Sequence, residues 1–277
     1  MTTTTPTSGG VANLTAAART ARPTLNLTYY RLELRRIMRD KVTLFFTVGL
    51  PAVMYLIFGA SPDYGDDPIR DGNVAMWIMI AMAAYGAVSA TSGIGGAAAI
   101  ERMQGWTRQL GLTPMRPIEF VAVKAATAMT VAAAPIAIVY AVGALTGASA
   151  PWHVWVLSAL VLVAGAMTFA LYGLGLGLAF RSEAAVSAAG GALVVMSFFG
   201  NIFIPLNGWQ LTVAKFTPLY GYVSLARRAL TGGHTIDPDT GDLIPEPLWQ
   251  VLANVSFWTI AFATLTVVLV QKGRGRQ

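Results

Sequence analysis

The chain has 277 residues, 55% of them hydrophobic and only 12% charged, about half the charge of an ordinary soluble domain. Its apolar residues gather in runs of roughly 20, the length a bilayer requires, which excludes a core-and-shell globule. The net charge of +6 flanks those runs instead of interleaving with exposed aromatics, so it orients spans and does not mark a nucleic-acid face. With no cysteine, disulfides, thiolate zinc sites and cysteine nucleophiles are excluded as well.

Residues 1–24 are rich in Thr and Ala, carry Arg19 and Arg22, and lack the apolar core of a cleaved signal, so they are expected to form a flexible cytoplasmic tail. Over residues 25–41 Leu27, Tyr30, Leu34 and Met38 fall at helical spacing, while Arg31, Arg35 and Arg39 recur every fourth residue on another face. That pattern predicts an amphipathic helix in the headgroup layer. The six-helix domain then occupies 42–271. Its first span, 42–60, is uncharged and holds Pro51, predicted to kink it. The loop after it carries Asp63, Asp66, Asp67 and Asp71 and is expected to face outward. A second span, 74–100, opens on Trp77, with Ser89, Gly93 and Ala97 four apart as the residues expected to let helices approach closely.

The stretch from Glu101 to Pro117 reads ERMQGWTRQLGLTPMRP and carries Arg102, Arg108 and Arg116 between two apolar runs. It is read as a short basic helical link at the cytoplasmic face. The third span, 118–147, holds Pro135 and, near its start, Lys124, expected to snorkel to the interface. The fourth, 151–180, begins with Trp152 and Trp155 and contains the spaced pair Gly173 and Gly177. The fifth, 184–205, ends among Phe198, Phe199, Asn201 and Phe203. Residues 206–230 are moderately apolar but contain Asn207, Gln210, Lys215 and Pro218, so a re-entrant or interfacial pair of short helices on the outer side is expected. A seventh span there would put the basic C-terminus outside, against the charge rule. The last span is 248–270, and residues 272–277 form a basic tail. Most lysines and arginines then fall on one side, with both termini cytoplasmic.

Few constellations suggest chemistry. A self-powered transporter would need a glycine-rich phosphate cradle, and no Gly-Lys dipeptide exists here, so any nucleotide hydrolysis belongs to a partner. Ser149 and His153 sit in GASAPWH without a nucleophile elbow. Asp237, Asp239 and Asp242 lack the spacing of a calcium loop and read as turn formers. No acid is expected near a span centre, which argues against proton coupling and against a channel built on an acidic ring. No enzyme activity, metal or cofactor is expected.

The chain resembles the membrane subunits of ABC-2 type exporters on three motifs. These are ELRRIMRDKVTLFFTVGLPAVMYLIFG leading into span one, ERMQGWTRQLGLTP after span two, and FIPLNGWQLTVAKFTPLYGYVSLARRAL after span five. The likeness is closest to the daunorubicin-resistance-like bacterial drug permeases. It implies an all-α fold of six transmembrane helices in the bacterial plasma membrane. It also implies pairing with a second permease copy, and docking on two separate ATP-binding cassette subunits that hold the ATP and its magnesium. The link would be a coupling helix seated on the ATPase through Glu101, Arg102, Gly105, Trp106 and Leu110, with Arg35, Arg36, Arg39 and Asp40 as a second contact. Spans two and five would border the seam where cargo passes, with Met76, Met79, Met82, Phe198, Phe199 and Asn201 as lining residues. Cargo is expected to be hydrophobic or amphipathic, a drug, antibiotic or lipid. The alternatives are a polymer permease, and a scaffold or channel with no need of an ATPase.

Overall fold

The computed structural model describes residues 26–105, 117–180 and 182–274. Helix α1 spans Leu27–Arg39, and its N-cap Asn26 accepts from the Tyr29 amide at 3.0 Å. It runs into α2, Lys41–Phe58, through Asp40. That side chain accepts from the Thr43 amide at 3.0 Å and the Thr43 hydroxyl at 2.6 Å, satisfying donors that a helix start leaves open. Pro51 was expected to kink this span. The departure from α geometry instead lies just ahead of it, in a π-helical turn over Phe45–Gly49, where the ladder widens before a residue that cannot donate to it.

Helix α3, Val74–Met103, starts on Asn73, whose side chain accepts from the amides of Met76 and Ser149 and donates to Gly147 O at 2.7 Å. One residue thus caps α3 and ties it to the turn between α4, Pro117–Leu145, and α5, Trp152–Phe180. There follow α6, Glu183–Phe199, α7, Gly208–Ala214, α8, Pro218–Thr231, and α9, Leu248–Arg274. Two antiparallel hairpins, β1 (Pro68–Ile69) with β2 (Gly72–Asn73) and β3 (His234–Ile236) with β4 (Leu243–Pro245), cluster at one end of the bundle. The opposite, basic end carries α1 and the ends of α3 and α4.

Among the described residues five helices, α2, α3, α4, α5 and α9, are long and apolar enough to cross a membrane, and α6 adds a shorter apolar stretch, Val186–Phe199. The chain is an all-α, multi-pass membrane protein. Span five was expected to reach residue 205, but α6 stops at Phe199, because Asn201 takes a left-handed φ of 59° and breaks the helix. Residues 208–231 form two short helices that meet at a turn. The carbonyls of that turn are satisfied from the side: Asn254 donates to Lys215 O and Thr217 O, and Trp258 to Phe216 O at 2.9 Å. Polar backbone is tolerated at membrane depth only when protein supplies such donors. Asn254 and Trp258 lie two to three turns inside α9, so the segment dips into the bundle and returns.

The bundle is built around α3, 83% of whose apolar window is buried against 17% for α9. Gly173 and Gly177 do pack closely, as their spacing predicts: a Cβ on Gly173 would run into Ser92 O, and one on Gly177 would come within 2.6 Å of Ala99. The matching face of α3 differs from the expected one. Ser92, Gly95, Gly96 and Ala99 meet the neighbouring helices, while Ser89, Gly93 and Ala97 form a partly exposed stripe, and a Cβ on Gly93 would meet nothing within 4 Å. The stripe singled out from the sequence is left open on the surface of the subunit, and a second set of small residues makes the contacts inside the bundle.

Candidate functional site

At the basic end, four charged side chains from three segments interlock. Glu33 is the buried residue of α1. Lys124, in α4, places Nζ 2.6 Å from Glu33 Oε1 and 2.8 Å from Glu101 Oε2 near the end of α3. Arg36 Nη1 closes the set at 2.5 Å from Glu101 Oε1. Glu33, Glu101 and Lys124 are each 9% exposed or less. Charges so enclosed persist only when paired and hydrogen-bonded, so the quartet fixes how α1 sits on α3 and α4. Arg36 is its solvent edge, and its bond to Glu101 holds the guanidinium pKa above the ordinary value despite partial burial. Tyr30 adds a hydroxyl contact to Thr130 of α4 at 2.6 Å, and Arg102 donates to Val270 O in α9 at 3.4 Å.

One expectation changes here. Lys124 does not snorkel to an aqueous interface; it is held between two carboxylates. The inward face of α1 is Tyr30, Glu33, Leu34 and Ile37, whereas Leu27 and Met38 are 51% and 70% exposed. Glu33 was not singled out from the sequence. The available signal was an acid three residues after Tyr30, on the apolar side of a basic helix, opposite a span carrying a lone lysine near its start.

Of the predicted coupling residues, Glu101 and Arg36 meet directly. Arg35 and Arg39 stay exposed on the outer face of α1, and Asp40 serves as the cap of α2. Gly105 follows the end of α3 with φ 78°, a left-handed value that favours glycine just past a helix. Trp106 and Leu110 lie outside the described residues.

The predicted pathway residues do not share one surface. Met76, Met79 and Met82 are at most 1% exposed and are enclosed by helices of their own subunit, with the Met79 sulfur against Gly143. Phe198 and Phe199 are 47% and 40% exposed on α6. Asn201 is buried at the hairpin end: it accepts from the Leu206 amide, donates to Thr235 Oγ1 at 3.2 Å, and offers its carbonyl to Arg227 Nη1 at 2.7 Å. Arg227 lies with Cζ 3.3 Å above the Trp77 ring and also donates Nε to Trp77 O. Arg227 belongs to the 206–230 segment expected on the outer side, and the structure places its side chain in the interior. Ser149 and His153 do not meet in any hydrogen bond; Ser149 binds Asn73, and His153 stacks edgewise on Trp152. Asp237 accepts from the Asp239 amide in a tight turn, and among the described residues no group of acids, histidines or cysteines could hold a metal ion.

Residues 25–231, from α1 to the end of α8, match the ABC-2 type transporter family. The chain belongs to that family. Over 247 residues it is 22% identical to the Bacillus subtilis (strain 168) protein named "Putative transport permease YvfS", a likeness covering 87% of this chain and 94% of that relative. The quartet therefore lies wholly within the matched region of this ABC-2 chain, as do α3, the described part of the link, and the re-entrant pair α7 and α8.

Proposed function

We propose that this ABC-2 chain is the membrane subunit of an exporter for hydrophobic or amphipathic compounds, drugs, antibiotics or lipids, driven by separate ATP-binding cassette subunits that carry the ATP and magnesium. The observation that carries the reading is the quartet. It joins α1 to both flanks of the link from Glu101 to Pro117, so a force on either element is transmitted to α3, around which the bundle is built. A partner drives a change only if it binds one arrangement more tightly than another, and ion pairs that join three segments can exchange partners. In this reading the basic end is cytoplasmic, the protein sits in a bacterial inner membrane, and both termini are cytoplasmic. Arg35 and Arg39, left free of the quartet on the outer face of α1, are the cations available to an ATPase, with Arg102, Gly105, Trp106 and Leu110 presented by the link.

Two permease copies would pair across the exposed stripe Ser89, Gly93 and Ala97 and the open face of α6, where Gly190 and Gly191 also have room for a Cβ and Phe198 and Phe199 stand exposed. That face is apolar, which favours an amphipathic cargo over a hydrated polymer. Met76, Met79 and Met82 would join the pathway only if the subunit itself opened. The test is ATPase activity of the purified complex of this chain with its ATP-binding subunit. Glu101→Ala with Trp106→Ala is expected to abolish cargo-stimulated hydrolysis while both proteins still express. Undiminished stimulation would sink the coupling assignment.

A further inference from the structure

A cavity of about 530 Å³ runs along α5 within the single subunit, inside the range of roughly 300–1,000 Å³ common for small-molecule sites. Its lining comes from α3, α4, α5, α8 and α9, with no residue from α6, so it is separate from the pairing face proposed above. Along α5 it extends from Val161 to Leu174, about 20 Å at 1.5 Å per residue, somewhat more than one leaflet of a hydrocarbon core about 30 Å thick. Ala164 at its mouth is exposed, as are the apolar neighbours Leu157, Leu160 and Ile260, so the slot opens sideways onto the surface that faces lipid.

The chemistry of the wall selects the occupant. Its polar groups are already bound to the protein: the Thr168 and Thr259 hydroxyls bond each other at 2.9 Å, Tyr222 donates to Leu162 O at 2.7 Å, and Lys124 is held by Glu33 and Glu101. What remains for a ligand is dispersion and apolar burial, hence hydrocarbon. At its far end the slot meets Lys124, beside α1, whose exposed Arg31 suits a phosphate at the membrane surface.

We propose that this slot holds one acyl chain of a membrane phospholipid, with the headgroup at the basic end and the tail along α5. The chain covers the methylenes of Lys124 and excludes water from the quartet, and ion pairs strengthen as their surroundings dry. The proposal concerns lipid binding by the subunit itself and stands apart from the exporter reading.

The experiment places the full chain in nanodiscs containing a phosphatidylglycerol with a photoactivatable diazirine on one acyl chain, irradiates, and maps the adducts by mass spectrometry. Label is expected on α5 peptides bearing Ala164, Met167 and Leu171, above the level on the lipid-facing side of α2 at Phe45 and Phe46. Ala164→Trp, which fills the mouth, is expected to cut the α5 label about tenfold and leave the α2 label unchanged. Ala125→Leu, on the opposite wall, gives a second variant whose folding does not depend on the first. Equal labelling of α5 and α2, unmoved by both variants, would mean annular lipid only and overturn the proposal. So would efficient disulfide cross-linking of two Ala164→Cys subunits, which would show a second copy seated in the slot.

Discussion

The two ends of the bundle each bury charge, and they do it by different means. At the hairpin end Arg227 is fixed by the face of Trp77 and by two backbone carbonyls, and among the described residues no carboxylate lies within ion-pair distance of it. At the basic end the ion pairs of the quartet join side chains of opposite charge spread over α1, α3 and α4. Ring faces and carbonyls are part of the scaffold and offer one arrangement. Paired side chains can trade partners with small rotations at little cost in packing. The hairpin end therefore reads as an anchor, and the basic end as the part of the molecule that can have two states.

Removing Arg227 should be the largest single loss. Arg227→Leu leaves Asn201 O and Trp77 O without their donor and discards a desolvated cation–π contact, so thermal unfolding in detergent should show destabilisation of about 3–5 kcal/mol. Arg227→Lys should restore little, since an ammonium has neither the fork nor the plane that the site uses. Near-complete rescue by lysine would show that the site wants only charge, and the contrast between the two ends would weaken.

Lys124→Ala comes next. It leaves Glu33 and Glu101 enclosed together with Arg36 as the one remaining counter-charge of the quartet, and destabilisation of about 3 kcal/mol is expected for a buried set that loses one partner. Replacing the set by neutral side chains, Glu33→Gln with Lys124→Met and Glu101→Gln, should recover most of that stability while leaving cargo-stimulated ATP hydrolysis of the complex lost. A neutral triple variant that couples as well as the natural protein would make the quartet a packing device and nothing more.

Legibility in the sequence followed the kind of interaction involved. That the chain is a multi-pass helical membrane protein was readable because hydrocarbon imposes one rule on every residue of a span, and the break into two short helices over 208–231 was signalled by Asn207, Lys215 and Pro218, which violate that rule. Which face of a span meets which neighbour was not readable: Ser89, Gly93 and Ala97 repeat as cleanly as Ser92, Gly96 and Ala99, and only the packed bundle separates them. The quartet was half visible. Glu101 and Arg36 were singled out, but Lys124 and Glu33, 91 residues apart in sequence, look like two ordinary interfacial residues until α1 is laid across the start of α4. Arg227 was invisible as an interior residue because its neighbour Arg228, identical in chemistry, is the one that faces partly outward.

The smallest expected effect concerns the joint between α1 and α2, where the backbone continues from the basic end into the first span. Asp40 caps α2 through Thr43, and those two hydrogen bonds hold its carboxyl pKa below the ordinary value. A lowered folded value means that the stabilisation is present above the ordinary carboxylate range and fades as pH falls through the lowered value. Asp40→Ala should therefore cost about 1 kcal/mol at neutral pH and flatten the acid limb of the melting profile. Asp40→Asn keeps a side-chain acceptor for the helix start but cannot titrate, so it should melt like the natural protein at neutral pH and share the flattened limb. If both variants keep the natural acid limb, the cap contributes nothing that depends on its charge, and the stiffness of the α1–α2 joint must come from Tyr30 on Thr130 and from the quartet alone.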